Sequence, residues 1–391
     1  MKIVDVSAFY APEGGGVKIY VEQKISALSS LGHELVIVAP SARNAVEPRG
    51  DRCRIVHVAS PTMPFDRRYR YFAEAAPVHA VLDAERPDFV EASSPWRTAS
   101  IVAEWRGSAP RALVMHADPL AAYAYRWFGP IADRATIDRQ FQWFWNHLRR
   151  HARRFDRVIC ANHGFARRLS DGGVPHVETL PLGIDAGIFS PAHRDEALRA
   201  DLLARCGLGP EARLLLGVGR HSAEKRWPMV IEACQQASVH RPIGLVLVGG
   251  GRDSARIQRR IGGNPHVHML APIRDRGLLA RVVASADALI HGCEAETFGL
   301  AAAEAAASGL PLIVPAEGGP ADFVLPGCGE TFRPADSRSA AKAIGRLLDA
   351  DPARLRTTGA DAAGRIPTID EHFERLLATY AGLAIPNRMA A

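Results

Sequence analysis

Short apolar runs of strand length alternate with helix-length amphipathic stretches along nearly the whole chain, and this alternation constrains the fold more than any other feature. Strand, crossover helix and strand in succession build parallel sheets with helices on both faces. In the first half the pattern predicts strands at Ile3–Val6, Leu35–Ala39, Arg54–Val58, Phe89–Glu91, Ala112–His116 and Arg157–Ala161. A helix is expected from about Val17 to Leu31, with Gly32 at the left-handed position that ends it. The second half repeats this logic with strands at Leu214–Val218, Gly244–Val248, His266–Leu270, Ala288–His291 and Leu312–Val314. At 391 residues the chain is too long for one ordinary core. The expected architecture is α/β: two Rossmann-like, doubly wound domains joined near Leu182–Pro191 and facing a cleft. Their expected extents are 1–184 for a first, ligand-accepting domain and 185–368 for a second, nucleotide-binding one, with 369–391 expected as a C-terminal helix that crosses back to the first.

Composition removes several classes. An apolar fraction of 47% with 23% charged residues is that of a folded globular chain. No apolar run reaches the roughly 18 residues of a spanning helix, and Asp5 interrupts what would be a leader's core. The expected location is the cytoplasm. Cys53, Cys160, Cys206, Cys234, Cys293 and Cys328 are scattered without a CxxC pair, which points to reduced thiols and to neither a disulfide framework nor a zinc site. The formal charge of +6 suits an anionic partner, whether nucleotide, phospholipid surface or nucleic acid. Basic residues do not concentrate in one element and no nucleic-acid motif is present, so nucleic acid is not expected as a partner.

The segment Glu294-Ala295-Glu296-Thr297-Phe298-Gly299-Leu300-Ala301-Ala302-Ala303-Glu304 carries the strongest chemical signal. A strand ends before it and a helix is expected to begin near Phe298. The first-turn amides of such a helix, with its dipole, attract phosphate. Gly299 would let a ligand approach the backbone. Glu296 could accept hydrogen bonds from sugar hydroxyls. Glu304, eight residues on, would lie roughly 12 Å further along the helix, so the two carboxylates could grip different parts of one extended ligand. Two helix-surface acids would give the same spacing.

Arg220 and Lys225 follow a strand, where an Arg can fork two phosphate oxygens and a Lys can supply a mobile charge. With a helix N-terminus also aimed at phosphate, no metal or other cofactor is required. Asp349-Ala350-Asp351 lies far from these motifs and is discounted as a metal site. Gly14-Gly15-Gly16 follows the first strand, but Ile19 occupies the last glycine position of a dinucleotide fingerprint. His116 and Asp118 stand at a strand end. Phe141, Phe144, Trp145, Leu148, Ala152 and Phe155 recur at helical spacing as a core stripe, with Trp143, His147, Arg150 and Arg154 on another face. Together with the loop Phe65–Phe72, which holds Arg67 and Arg68, that face suits an anionic membrane or an acidic acceptor; a solvated helix face is the bland alternative.

These residues resemble a known family. Ala286-Asp287-Ala288-Leu289-Ile290, then Glu296-Thr297-Phe298-Gly299-Leu300, Glu304-Ala305, Ser308-Gly309-Leu310-Pro311 and Pro315-Ala316-Glu317-Gly318-Gly319 resemble the most recognisable block of the retaining, nucleotide-sugar-dependent glycosyltransferases of family 4, or group 1, with the GT-B fold. Gly32-His33-Glu34, Leu182-Gly183-Ile184-Asp185 and Gly219-Arg220 with Glu224-Lys225 are similar to its other signatures.

The resemblance implies a site and a reaction. His116 would contact the transferred sugar, with Asp118 orienting it or binding acceptor. Glu296 would face the sugar, and Phe298, Gly299 and Leu300 the phosphate. Glu304 would face the ribose and Ile273 the base. Gly15 and Gly16 would approach the donor phosphate or the acceptor, while Arg220 and Lys225 would stabilise the leaving group. The implied reaction transfers a hexose from a UDP- or GDP-sugar to a saccharide or lipid-linked acceptor of the bacterial envelope, without metal. Arg67 and Arg68 are acceptor candidates, and contact with the inner face of the cytoplasmic membrane would be peripheral. The competing readings are a basic α/β binding module without catalysis, and a nucleotide-sugar epimerase or phosphorylase on the same fold.

Overall fold

The computed structural model describes all residues except 12–15, 65, 68, 130, 390 and 391, and the side chains of 385–389. The chain forms two compact units. The first comprises Met1–Asp118, Phe128–Pro181 and Ile369–Ala391, and the second Pro119–Trp127 and Leu182–Thr368.

In the first unit eight strands form one sheet. They are β1 (Lys2–Val6), β2 (Glu34–Ser41), β3 (Ala45–Pro48), β4 (Cys53–Ala59), β5 (Phe89–Ala92), β6 (Arg111–Met115), β7 (Arg157–Cys160) and β8 (Val177–Thr179). Their order is β3-β4-β2-β1-β5-β6-β7-β8. Every pairing is parallel except that of β3 with β4. The near-continuous apolar strands Ile3–Val6 and Leu35–Ala39 are buried on both faces, as parallel strands between helix layers must be. β3 and β8 were not legible as apolar runs. All four residues of β3 are exposed, and β8 (Val-Glu-Thr) is half-buried throughout.

The second unit is a purely parallel six-stranded sheet. Its strands are β9 (Arg213–Val218), β10 (Ile243–Val248), β11 (Val267–Leu270), β12 (Ala288–Ile290), β13 (Leu312–Pro315) and β14 (Gly329–Phe332). They run in the order β11-β10-β9-β12-β13-β14, so the reversal point lies at β9 and β12. In sheets of this kind ligands gather beyond the carboxyl ends at that point. The core joins Leu215, Leu245, Ile290 and Ile313 to Trp227, Val230 and Ile344 from the covering helices.

Candidate donor site

The loop after β9 is folded around a tryptophan. Trp227 is 1% exposed and its indole N–H donates to the Arg220 carbonyl at 2.9 Å. This fixes the path of Gly219–Arg226 and turns the short helix Ala223–Lys225 inward. Arg226 takes a left-handed φ of 52°, unusual for a residue with a Cβ. Its guanidinium forks the Glu294 carboxylate, with Nε donating to Oε2 at 2.8 Å, which ties this loop to the loop after β12. The loop after β10 closes against the same turn. The His221 amide donates to the Gly250 carbonyl at 2.8 Å, and a Cβ on Gly251 would lie 2.5 Å from the His221 oxygen. Gly249 is equally constrained, since a Cβ there would collide with the Gly219 carbonyl. The glycines in these loops thus permit strand-end backbones to touch.

Lys225 is 8% exposed and forms an ion pair with Glu296. His291, just past β12 and 1% exposed, places Nε2 3.3 Å from the other Glu296 oxygen. Burial, reinforced by the Lys225 charge, drives His291 well below the usual imidazole range, so it is neutral. Burial also draws the Lys225 ammonium down, with the Arg220 charge acting in the same direction. The nearby Glu224 carboxylate acts against this. The structure therefore brings Lys225 and Glu296 together. Arg220 stands apart, 77% exposed in its side chain and 3.4 Å from Glu224.

The segment after Glu296 differs from the expected helix. The helix runs Leu300–Ala307, beginning two residues later than Phe298, because Gly299 caps it with a φ of 88°. A Cβ at Gly299 would stand 2.7 Å from the Pro320 side chain, so glycine is needed for the turn and its packing as well as for any ligand. Glu296 consequently does not share a helix with Glu304, and the expected rise of two helical turns between them does not apply. The Glu296 carbonyl accepts the Gly319 amide at 2.7 Å, which anchors the loop to Gly318-Gly319. Phe298 is buried edge-on against Phe323 at 5.2 Å, while Leu300 is 44% exposed. The first-turn backbone and the Lys225 ammonium form a concentration of positive potential suited to phosphate.

Glu304 is not a helix-surface acid. It is 4% exposed and lies 2.8 Å from Arg276, which in turn reaches Asp185 at 3.2 Å. Burial raises the Glu304 carboxyl, Arg276 opposes that rise and Asp185 adds to it. Ile273 is half-buried in the connection after β11. His291, Glu294, Arg226 and Arg276 went unselected in the sequence. The available signal was position, since each lies in the connection that follows a strand carboxyl end or at its far end.

In the first unit His116 follows β6, with its ring edge-on to Tyr20 at 4.9 Å. Burial pushes its imidazole down to about 4. Asp118 is buried and its carboxylate pairs with Arg168. Gly16 opens the helix Gly16–Ser30, with open space where a Cβ would stand. Gly15 and Arg68 lie outside the described residues, and Arg67 is exposed. The helix Gln142–Ala152 buries Phe144, Trp145, Leu148 and Ala152 and exposes Trp143 and Arg150, and Arg154 is exposed in the turn that follows it. His147 leaves the basic face, because its Nε2 donates to the Pro95 carbonyl at 2.8 Å. Asp349 pairs with Arg241 and Asp351 caps the helix Pro352–Ala363. Both residues thus have structural duties.

The two units have counterparts among solved structures. Sucrose-phosphate synthase from Thermosynechococcus elongatus superposes with a TM-score of 0.74 at 21% identity, covering 98% of this chain and 99% of that one. HepE from Anabaena, solved with UDP and glucose, gives 0.68 at 16% identity over 97% and 99%. The fold is the two-domain GT-B fold of glycosyltransferases. Residues 14–187 match the sequence model of Glycosyltransferase Family 4, and residues 204–361 match that of Glycosyl transferases group 1. A GDP-mannose-dependent alpha-(1-6)-phosphatidylinositol dimannoside mannosyltransferase of Mycobacterium tuberculosis is 30% identical over 99% of this chain and 98% of its own length. A GDP-mannose-dependent alpha-mannosyltransferase of Mycolicibacterium smegmatis is 29% identical over 83% and 82%. The chain belongs to the family 4, group 1 glycosyltransferases.

Proposed function

We propose that this glycosyltransferase transfers mannose from GDP-mannose to a lipid-linked saccharide, with retention of configuration and without a metal. The observation that carries the reading is the cluster of buried Lys225 and His291 around the partly exposed Glu296, set where the β9 and β12 loops meet the N-terminus of the Leu300–Ala307 helix. The second unit binds the donor and the first the acceptor. The diphosphate lies against the helix amides and Lys225, with Arg220 folding onto it from solvent. As the bond from the anomeric carbon to the phosphate oxygen breaks, negative charge grows on the diphosphate. Cations and dipoles already in place stabilise that charge without reorganising. The acceptor oxygen bonds to the same carbon from the face the diphosphate leaves, and its proton passes to the departing phosphate oxygen. Glu296 exchanges Lys225 for sugar hydroxyls, Ile273 flanks the base, and neutral His116 contacts the transferred sugar.

GDP-mannose is favoured because the names of several relatives specify that donor. A lipid-linked acceptor is favoured by the exposed Trp143, Arg150 and Arg154 on and just after the helix Gln142–Ala152, residue types suited to an anionic headgroup layer. No described helix is long and apolar enough to cross a membrane, so contact would be peripheral. The test is thermal denaturation with GDP, UDP and their mannose and glucose conjugates, followed by product analysis with a phosphatidylinositol mannoside acceptor. GDP-mannose should raise Tm most and mannosylate the acceptor with an α-linkage. Stabilisation by UDP-sugars alone, or an inverted product, would overturn the assignment. Loss of co-sedimentation with anionic vesicles at low salt would remove the membrane contact.

A further inference from the structure

Arg276 occupies a position that the transfer reaction does not by itself explain. It opens the helix Arg276–Ser285, capped by Asp275, whose carboxylate accepts the Leu278 amide at 3.0 Å. Its guanidinium packs over the ring of buried Phe189, 4.8 Å from the centroid, and spans Glu304 at 2.8 Å and Asp185 at 3.2 Å. One planar cation thus holds two carboxylates from distant parts of the unit. The Arg276 side chain is 37% exposed while that of Glu304 is 5% exposed, so the Arg is the solvent-side member of the pair.

We infer that Arg276 is the positioning residue of the ribose site: it keeps the buried Glu304 carboxylate ionised and aimed so that the ribose hydroxyls of a nucleoside diphosphate can donate to it. The inference rests on the donor-site reading and on the role of Glu304 within it. An isolated carboxylate at this depth favours its neutral form, and a neutral carboxyl accepts hydrogen bonds more weakly than an ionised one. The Leu300–Ala307 helix packs against the Arg276–Ser285 and Pro352–Ala363 helices, the Gly319–Phe323 turn and β13. On those elements Asp322, Arg354, Arg356 and Asp361 are exposed, and Arg281 is committed to Asp195 at 2.6 Å. Charge reaches Glu304 from Arg276, which favours ionisation, and from Asp185, which opposes it. Removing Arg276 leaves Asp185 as the charged neighbour and moves Glu304 further toward the neutral acid.

The test compares binding of GDP and 2′,3′-dideoxy-GDP to the full chain by calorimetry between about pH 5 and about pH 9. In the native protein GDP should bind about tenfold or more tightly than the dideoxy analogue. In Arg276→Ala the preference should collapse at the acid end and return at the alkaline end, where Glu304 ionises unaided. Arg276→Gln keeps the bulk without the charge and should behave alike, and Arg276→Lys should recover part of the preference. A preference in Arg276→Ala and Arg276→Gln that matches the native one at every pH overturns the inference, as does a loss that does not depend on pH. Failure of the native protein to bind GDP overturns the donor-site reading itself, and equal native affinity for both nucleotides removes Glu304 from the ribose.

Discussion

The chain has five lysines, and two of them are buried, one in each unit. Lys24 lies on the inner face of the Gly16–Ser30 helix, with no exposed surface. It is paired with Asp5 of β1 at 3.0 Å and with Glu91 of β5, both equally buried. Ser93 donates to the second Asp5 oxygen at 2.7 Å. Despite its burial the two carboxylates hold the Lys24 ammonium above the usual range. Lys225 has Glu296 and neutral His291 for neighbours, and burial draws its ammonium below that range. The difference is one of completeness. Lys24 has more opposing charge than it needs and faces no solvent, so it has nothing left to offer a ligand. Lys225 has one partly exposed counter-ion and can still gain from an incoming phosphate. A buried charge marks a binding site only when its neighbours leave it incompletely compensated.

The sharpest way to break this comparison is to substitute both lysines alike. Lys24→Met should cost about 3–5 kcal/mol in urea unfolding, because it strands two buried carboxylates. Lys225→Met should cost less than about 1 kcal/mol, because Glu296 can turn to water. Turnover should follow the opposite order: Lys225→Met loses about 10²–10³-fold in kcat, and folded Lys24→Met retains it. Equal stability losses would end the distinction.

A pH titration gives the next effect. His372, on the C-terminal helix Ile369–Met389, meets the Tyr20 hydroxyl at 3.1 Å and donates from Nδ1 to the Pro181 carbonyl at 2.9 Å. Burial pushes its imidazole down to about 4. The unfolded chain, with a histidine near 6.5, takes up that proton first, so stability falls as pH drops from about 6.5 to about 4. The loss should approach about 3 kcal/mol. His372→Gln should reduce the slope across this window by its own share, His116 and His291 keeping theirs, and an unchanged slope would show that His372 does not contribute.

Gly299→Ala sharpens the second unit's side with the smallest effect. A left-handed alanine facing Pro320 should cost about 1–3 kcal/mol and tilt the helix start, so kcat/KM should fall while the Lys225–Glu296 pair persists. Native kcat/KM in this variant would show that the backbone there does not contact phosphate.

Much of this contrast was legible beforehand, for identifiable reasons. β1, β2, β9 and β10 are near-continuous apolar runs with no competing period, so their location and parallel burial followed directly. Glu296, Lys225 and Gly299 stand out in the sequence as site candidates because each follows a strand end with chemistry-bearing neighbours. The helical period also carried a signal for Lys24, which shares a face with Val21, Ile25 and Leu28; its partners did not show, because Asp5 and Glu91 are far apart in sequence. β3 escaped because an exposed edge strand needs no apolar alternation.

What the sequence by itself determined is therefore local: where strands and helices form, which loops follow them, and which glycines must turn. Those outcomes depend on periodicity and backbone sterics, which act over a few residues. Only the tertiary structure decided that Lys24 would be neutralised by two acids while Lys225 would not, that Gly299 would delay its helix, and that Arg276 would stand over Glu304. Charge compensation and burial depend on which distant strand ends the parallel crossovers bring side by side, and spacing along the chain does not encode that distance.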